Sequence, residues 1–552
     1  METVEGDAGF TTAPLVLGPM LRYVSTTSAT VWVETSRPGT VEVLGHRAST
    51  FSVRGRHFAL VIIEGLEPAS VIPYEVRFDD DLVWPQPDSE LPPSVIRTLG
   101  HGDVDLLIGS CRAAAPHEKP YTLELAFDDR GRGIDTMRAH AKRMVYDPPE
   151  KWPVAMLLVG DQIYADDSSP STKERIEATR PDADELPPSL VADFDEYCWL
   201  YHEAWSPTFE RWLFSVVPTL MIFDDHDVID DWNISASWVT EMSGESWWEA
   251  HAVGSVMSYW IYQHLGNQSP EQIRADGLLD RLVEANEASQ LLESWARSVN
   301  DDPTTYQFSF SRHIGEVKVV VVDGRHARVL DGSTRRMVNE GEWQWICDEA
   351  LEPTRHVVLA TTLPVFIAPG LHDLMVWNER VCEGAWSRYA IGWGEKIRRS
   401  LDLEDWSAFG DSYTEFAQLI ERITGGSDAP SSTVVASGDI HFSYVARVAI
   451  GGSASRVYQV VSSPIRNALI PPERGVMRFT LTTAGARIGA ALRRLTRRRP
   501  SAVPIDMIAG PHFANNMVLV RYRGDDVGVI IEQSTDDEDD GPALVVVDDI
   551  SL

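Results

Sequence analysis

Cysteine, aspartate, tyrosine and histidine recur at four places where a short apolar run stops. Val104–Ile108 leads into Gly109-Ser110-Cys111, and Met156–Val159 into Gly160-Asp161-Gln162-Ile163-Tyr164. Leu220–Phe223 leads into Asp224-Asp225-His226-Asp227, and Val434–Ala436 into Ser437-Gly438-Asp439-Ile440-His441. Asp161 and Tyr164 stand three apart behind a glycine, so one tight turn aims both at a common point. A carboxylate can bridge two cations through its two oxygens, and a tyrosinate is a hard anionic ligand suited to a trivalent ion. Asp439 and His441, two apart, project to the same side of an extended segment, as a chelating pair must. Asp225 and His226 are adjacent and diverge, so one can face metal while the other faces substrate. Cys111 on its own also reads as a buried structural thiol, and Gly-Asp after a strand as an ordinary turn. Repetition at four strand ends points to one metal site assembled from distant segments.

The elements that must position these residues can be read from the same runs. A continuous apolar stretch of four to eight residues is the signature of a buried parallel strand, and ligands of open α/β sheets gather beyond the carboxyl ends of such strands. Val317–Val322 and Val357–Ala360 are two further strands of this kind, and longer helical stretches lie between the runs. The segment from Asp103 onward is therefore expected to be an α/β domain. Glu271–Val299 has helical spacing, and Asn516–Ile530 and Ala543–Val547 read as terminal strands.

Residues 15–98 differ. Ser28–Glu34 and Val41–Val43 alternate polar with apolar residues, and Arg54–Glu64, Ile72–Phe78 and Ser94–Thr98 continue short strand signals between turns. This spacing predicts a small all-β sandwich of the fibronectin or immunoglobulin type, with a packing or positioning role. The expected division is a sandwich at 1–100 and a catalytic domain at 101–552.

At 552 residues the chain exceeds one simple core. Asp and Glu number 83 against 48 Lys and Arg, a net charge of −35, which disfavours nucleic acid and anionic membranes as general partners. Met1–Pro14 has no secretory pattern, and no run approaches the ~20 apolar residues of a membrane span. The four cysteines lack CxxC spacing, which fits reduced thiols and a cytoplasmic location, although a secreted mature form would read the same. Oligomeric state has no sequence signal.

Three segments stand apart. Ser168–Ser189 is a long polar insertion behind the Asp161 cluster, expected to be disordered or to cover the site. Arg493, Arg494, Arg497, Arg498 and Arg499 close a helical stretch from Ala484, suiting a helix C-terminus that docks on the acidic body, with a membrane surface as the alternative. Asp536–Asp540 with Gly541 lacks the terminal Glu of a calcium loop, since Val547 stands there, and reads as a hairpin tip.

Taken together and in order, Gly109-Ser-Cys111, Gly160-Asp-Gln-Ile-Tyr164, Asp224-Asp-His-Asp227, Val322-Asp-Gly-Arg325 and Gly438-Asp-Ile-His441 resemble the PhoD-like alkaline phosphatases. These are relatives of the purple acid phosphatases among the metallophosphoesterases. The resemblance extends over nearly the whole chain, including Gly18-Pro19 and Ala29-Thr-Val-Trp32 in the N-terminal part. It implies a four-layer α/β/β/α sandwich with two metal ions. Cys111, Asp161, Tyr164 and His441 would hold an iron-like Fe3+, and Asp161, Asp225 and Asp439 a divalent ion, with Asp161 bridging. Asp225 and Asp439 stand where purple acid phosphatases use Asn and His, so a harder ion such as Ca2+ is favoured over Zn2+, with Mn2+ and Mg2+ as further options. Arg325 and Arg328 match the family's Asp-x-Arg-x-x-Arg element and would clamp phosphate, the rival reading being structural salt bridges. Gly324 replaces the Thr common in relatives.

The implied activity is hydrolysis of a small phosphomonoester or phosphodiester by water activated between two cations. His226 is the candidate acid for the leaving alcohol, or else a histidine orienting a carboxylate. The alternatives are a metal-binding regulatory protein of the same fold, or a metallohydrolase acting on other bonds.

Overall fold

A computed structural model describes residues 13–180, 186–187, 189–285, 287–331, 334–450, 456–469, 471–496, 502–537 and 541–552. All six buried apolar runs are strands. A six-stranded sheet runs in the order Thr219–Ile222, Ala155–Val159, Val104–Gly109, Asn516–Arg523, Asp526–Asp537, Gly541–Ser551. Its first three strands are mutually parallel and the rest antiparallel. A seven-stranded sheet has four parallel strands at its centre, Val317–Val322, His356–Thr361, Ser432–Ser437 and Arg456–Val461. Phe310–Ile314 flanks them on one side, and Ser443–Val448 with Ile505–His512 on the other, all antiparallel.

The central strands are buried on both faces, which is why they read as unbroken apolar runs rather than alternating ones. Alternate residues of Val317–Val322 go to different cores. Val319 and Val321 share a cluster with Leu106, Leu157 and Val518 of the other sheet. Val320 and Val322 pack instead with Trp343 of helix Glu340–Ala350 and Phe416 of helix Gly410–Thr424. At the carboxyl ends the two sheets are stitched together, with Ser462 Oγ donating to the Ile108 carbonyl at 2.7 Å and Ser110 Oγ to the Ser462 carbonyl at 3.0 Å.

The N-terminal region is sandwich-like, with two four-stranded antiparallel sheets and a core of their own around Val31, Val41, Val61 and Phe78. One of its faces is also buried against the rest of the chain. Trp32 packs at 5.2 Å from Tyr262, and Arg22 donates to the carbonyls of Tyr262 and Gln263 at 2.7 and 2.6 Å. Glu271–Val299 divides into the helices Pro270–Asp276, Leu278–Glu284 and Ser289–Asp301.

The insertion at 168–189 is not structureless over its first part. Ser169 caps a helix at Pro170–Thr179, with proline in the first turn, and Ser168 Oγ reaches the Ser189 carbonyl at 2.6 Å. Residues 181–185 and 188 lie outside the described residues, as do Arg497–Arg499 and 538–540. Helix Thr483–Arg494 forms as expected, and Arg493 pairs with Asp373 at 2.5 Å. All four cysteines are free thiols. Among the described residues no helix is long and apolar enough to cross a membrane.

Candidate metal centre

The four ligand clusters meet where the carboxyl ends of the two sheets converge. Donor atoms of Cys111, Asp161 and Asp439 lie within 4.8 Å of one another, and so do those of Asp161, Asp224 and Asp225. Asp161 belongs to both groups. Both its carboxylate oxygens are buried without a hydrogen-bond partner, and so is one oxygen of Asp224. An orphaned buried carboxylate is costly, because it gives up water and receives nothing in return.

Holding these donors together strains the chain. Cys111, Asp439 and His441 have φ of 55°, 62° and 56°, in the left-handed region that residues with a Cβ avoid. Each such residue costs about 1–3 kcal/mol and persists only where its surroundings impose it. Backbone approach is equally tight. A Cβ on Gly438 would sit 2.1 Å from Ser110 Oγ, and one on Gly160, at φ 127°, 2.9 Å from the Asp224 carboxylate. Only glycine lets these strand ends come this close.

His441 stands outside the two tight groups, and Asn467 ties it to Tyr164. The Asn467 amide donates to the Tyr164 hydroxyl at 3.0 Å, and its backbone carbonyl lies 2.6 Å from His441 Nδ1. A carbonyl only accepts, so Nδ1 carries the proton and Nε2 keeps its lone pair, the arrangement a metal-binding histidine requires. The backbone N–H of His441 donates to Ser463 Oγ, which in turn donates to Cys111 Sγ at 3.3 Å.

The electrostatics are lopsided. Burial, with the Asp224 and Asp225 carboxylates, pushes Asp161 and Asp439 well above the usual carboxylate range. Burial and the neighbouring acids also push up the Cys111 thiol and the Tyr164 phenol. Asp224 rises to about 6 through burial, against the pull of Arg325. Burial pushes Asp225 up, but Arg325, His226 and backbone N–H groups together hold it low. The pattern is that of an anionic donor set short of positive charge, with thiolate, phenolate and carboxylate donors that suit hard or ferric cations.

Arg325 is fully buried against Asp224, bonds Glu404 at 2.5 Å and Asp225 at 3.1 Å, and lies 3.8 Å from Asp439. Arg328 bonds Glu404 at 3.2 Å, with further bonds to the carbonyls of Gly324, Trp232 and Asn233. Of the two readings of these arginines, phosphate clamp or structural salt bridge, the contacts present are of the second kind, since carboxylates and carbonyls meet both guanidiniums. His226 lies at the open side, 24% exposed, with Nδ1 2.9 Å from Asp166 and its ring 4.7 Å from that of Tyr164. Burial opposes its cation, but Asp166, Asp225 and Asp161 raise its pKa well above the ordinary value.

Beside Tyr164 is a cavity of about 290 Å³, lined among others by Tyr121, Arg130, Arg132 and Lys173. Ser168, Ser169 and Pro170 also line it, so the start of the insertion borders the site. The sequence reading missed Asp224 as a donor, Asp166 as the partner of His226, and Asn467 and Glu404 altogether. Asp224 was visible in its motif, whereas Asn467 and Glu404 lie in loops with no pattern of their own.

A family model described as a domain of unknown function, DUF7800, matches residues 12–96. No curated protein matches the sequence. Among solved structures, that of PhoD superposes with a TM-score of 0.57 at 12% identity, covering 98% of this chain and 90% of the other. A maltogenic amylase from S. marinus and a cyclomaltodextrinase reach only 0.16 and 0.13, too low to bear on the fold. The chain has a PhoD-like fold. At 12% identity the likeness speaks for the fold, not for the reaction.

Proposed function

We propose that this chain is a metal-dependent phosphoric ester hydrolase of the PhoD-like type, a phosphatase or phosphodiesterase with a dinuclear centre. The observation that carries this reading is Asp161, whose two buried, unpartnered oxygens belong to two donor groups at once. In this reading the body is a four-layer α/β/β/α sandwich spanning 101–552, and residues 1–100 are an Ig-like sandwich docked on it.

Cys111, Asp161, Tyr164 and His441 would hold a ferric ion. Asp161, Asp225 and Asp439 would hold a divalent one, Ca2+ being favoured by the carboxylates. Asp224 stands near enough to join the second set. Two cations bound there supply an activated water and charge stabilisation for in-line displacement at phosphorus. The protein's own groups do the rest. Arg325 offsets the acids and fixes their positions, and Asn467 holds the Tyr164 hydroxyl and the His441 tautomer. Asp166 orients His226 through Nδ1, leaving Nε2 to protonate a departing alcohol.

The test is hydrolysis of a panel of phosphomonoesters and phosphodiesters before and after chelation. Activity lost on chelation and restored by metal supports the reading, whereas chelated protein with full activity overturns it. Ferric tyrosinate absorbs visible light, so iron-loaded protein should be coloured and Tyr164→Phe should bleach it. A colourless active enzyme would remove iron without removing the hydrolase.

A further inference from the structure

Helix Thr483–Arg494 turns the wrong side outward for a surface helix. Its inner positions are small. Gly485 and Gly489 lie against helix Pro369–Cys382, where a Cβ on Gly489 would come within 2.7 Å of the Gly370 carbonyl. Its outer positions, at helical spacing, are Ala484, Ile488, Ala491 and Leu495, flanked by Arg487 and Arg494. Ile488 and Leu495 are 53% and 61% exposed. The outer face of a helix in a soluble domain is ordinarily polar, and a chain of net charge −35 would be expected to place acids there. The described residues 471–496 instead contain five arginines and one acid, Glu473, and Arg487 and Arg494 are exposed.

Aromatic side chains extend the surface. Trp377, at the other end of helix Pro369–Cys382, packs against Trp386 at 5.4 Å and Trp393 at 5.8 Å. The outer two indoles are stacked and about half exposed, and Tyr389 beside them is 82% exposed. Gly370, Asp373 and Trp377, which carry these two groups, share one helical stripe.

We propose that this face docks on an anionic lipid surface. Indole and phenol rings favour the headgroup boundary, arginine pairs with lipid phosphate, and an Ile–Leu stripe between arginines is the pattern of a helix lying in the interface plane. Charge complementarity selects the occupant. A two-fold contact with a second copy of the chain would bring like parts of an arginine-rich face together. An anionic bilayer neutralises these arginines and takes up the apolar stripe in one contact. The general repulsion expected from the net charge is overridden locally, since charges beyond about 8 Å are screened at physiological salt. The segment begins four residues after Asn467, so docking also orients the rim of the metal centre relative to the bilayer.

Co-sedimentation of the full-length protein with vesicles tests this, with no substrate present, so the outcome is independent of the hydrolase reaction. Binding to phosphatidylcholine vesicles containing phosphatidylglycerol, and not to phosphatidylcholine alone, is expected. Arg487→Glu with Arg494→Glu should weaken it by about tenfold or more, and so should Ile488→Glu with Leu495→Glu. These side chains are exposed, so melting temperatures should be unchanged; Arg487→Gln with Arg494→Gln serves as the milder pair if the first variant melts early. Absent binding, equal binding to neutral vesicles, or binding indifferent to both pairs would overturn the proposal. A dimer in solution that Ile488→Glu dissociates would also do so, by assigning the face to a second copy.

Discussion

Around Arg112, each buried carboxylate faces a guanidinium; around Asp161, four carboxylates, a thiol and a phenol lean on a single one. In the first cluster Arg112 bonds Asp135 at 2.8 Å and Glu210 at 3.3 Å, while Arg138 and His117 each approach Glu210 at 3.1 Å. Burial pushes both acids up, yet Arg112, His117 and Arg466 around Asp135, and His117 with Arg112 around Glu210, leave both below their ordinary values. In the second, Arg325 serves Asp224 and Asp225 and lies near Asp439, while neither carboxylate oxygen of Asp161 has a hydrogen-bond partner. The two clusters place acids at similar depth, and each contains a group of donor atoms close enough for a metal. Proximity of ligands therefore does not distinguish them; charge balance does. A balanced cluster holds the fold together, whereas an unbalanced one stores a demand for cations.

Substitutions can break that contrast. Asp161→Asn should give the largest loss, on the order of 10³-fold in ester hydrolysis or about 4 kcal/mol of barrier, with little change in melting temperature. Comparable activity in the variant would mean that the orphaned carboxylate serves no reaction.

Glu210→Ala should do the reverse, destabilising the fold by about 3–5 kcal/mol because Arg112 loses a buried counter-charge, with ester hydrolysis retained per folded molecule. Its pH dependence has a definite sign. Glu210 is held low in the folded state, so its contribution is present above the ordinary carboxylate pKa of about 4 and is lost as pH falls through the folded value. The difference in melting temperature between wild type and variant should narrow in acid. A constant gap down to strongly acidic pH would contradict the ion-pair account.

His226→Ala should be selective rather than uniform. Alkyl phosphates, whose leaving oxygen must be protonated, should lose roughly 10²–10⁴-fold, and nitrophenyl phosphate much less. Equal losses on both, or lost metal, would place His226 among the residues that hold the centre.

Legibility in the sequence divides along the same physical lines. Strand ends were readable because strands buried on both faces leave uninterrupted apolar runs, and the residues just after each run must lie at the sheet edge. Cys111, Asp161, Asp225 and Asp439 were found in this way, and the structure brings their donors together. Asn467 was not, because a single amide in a loop after Arg456–Val461 has no periodicity or partner nearby in sequence. Asp224 was passed over although it stands in the same motif, beside Asp225. The arginines' partners could not be read, because a sequence shows that guanidiniums are present and not which carboxylates will reach them; Glu404 is 79 residues from Arg325. At 168–189 polar composition suggested irregular chain, yet Ser169-Pro170 ahead of Lys173-Glu174-Arg175 is a helix start that composition alone conceals.

The most direct test of the central claim is the metal content of the purified full-length protein by elemental analysis, alongside Asp161→Asn and Glu210→Ala. The account predicts about two equivalents per chain in the wild type, retained in folded Glu210→Ala and lost from folded Asp161→Asn. A metal-free wild type that hydrolyses phosphate esters, or an Asp161→Asn protein that keeps both ions, would contradict it.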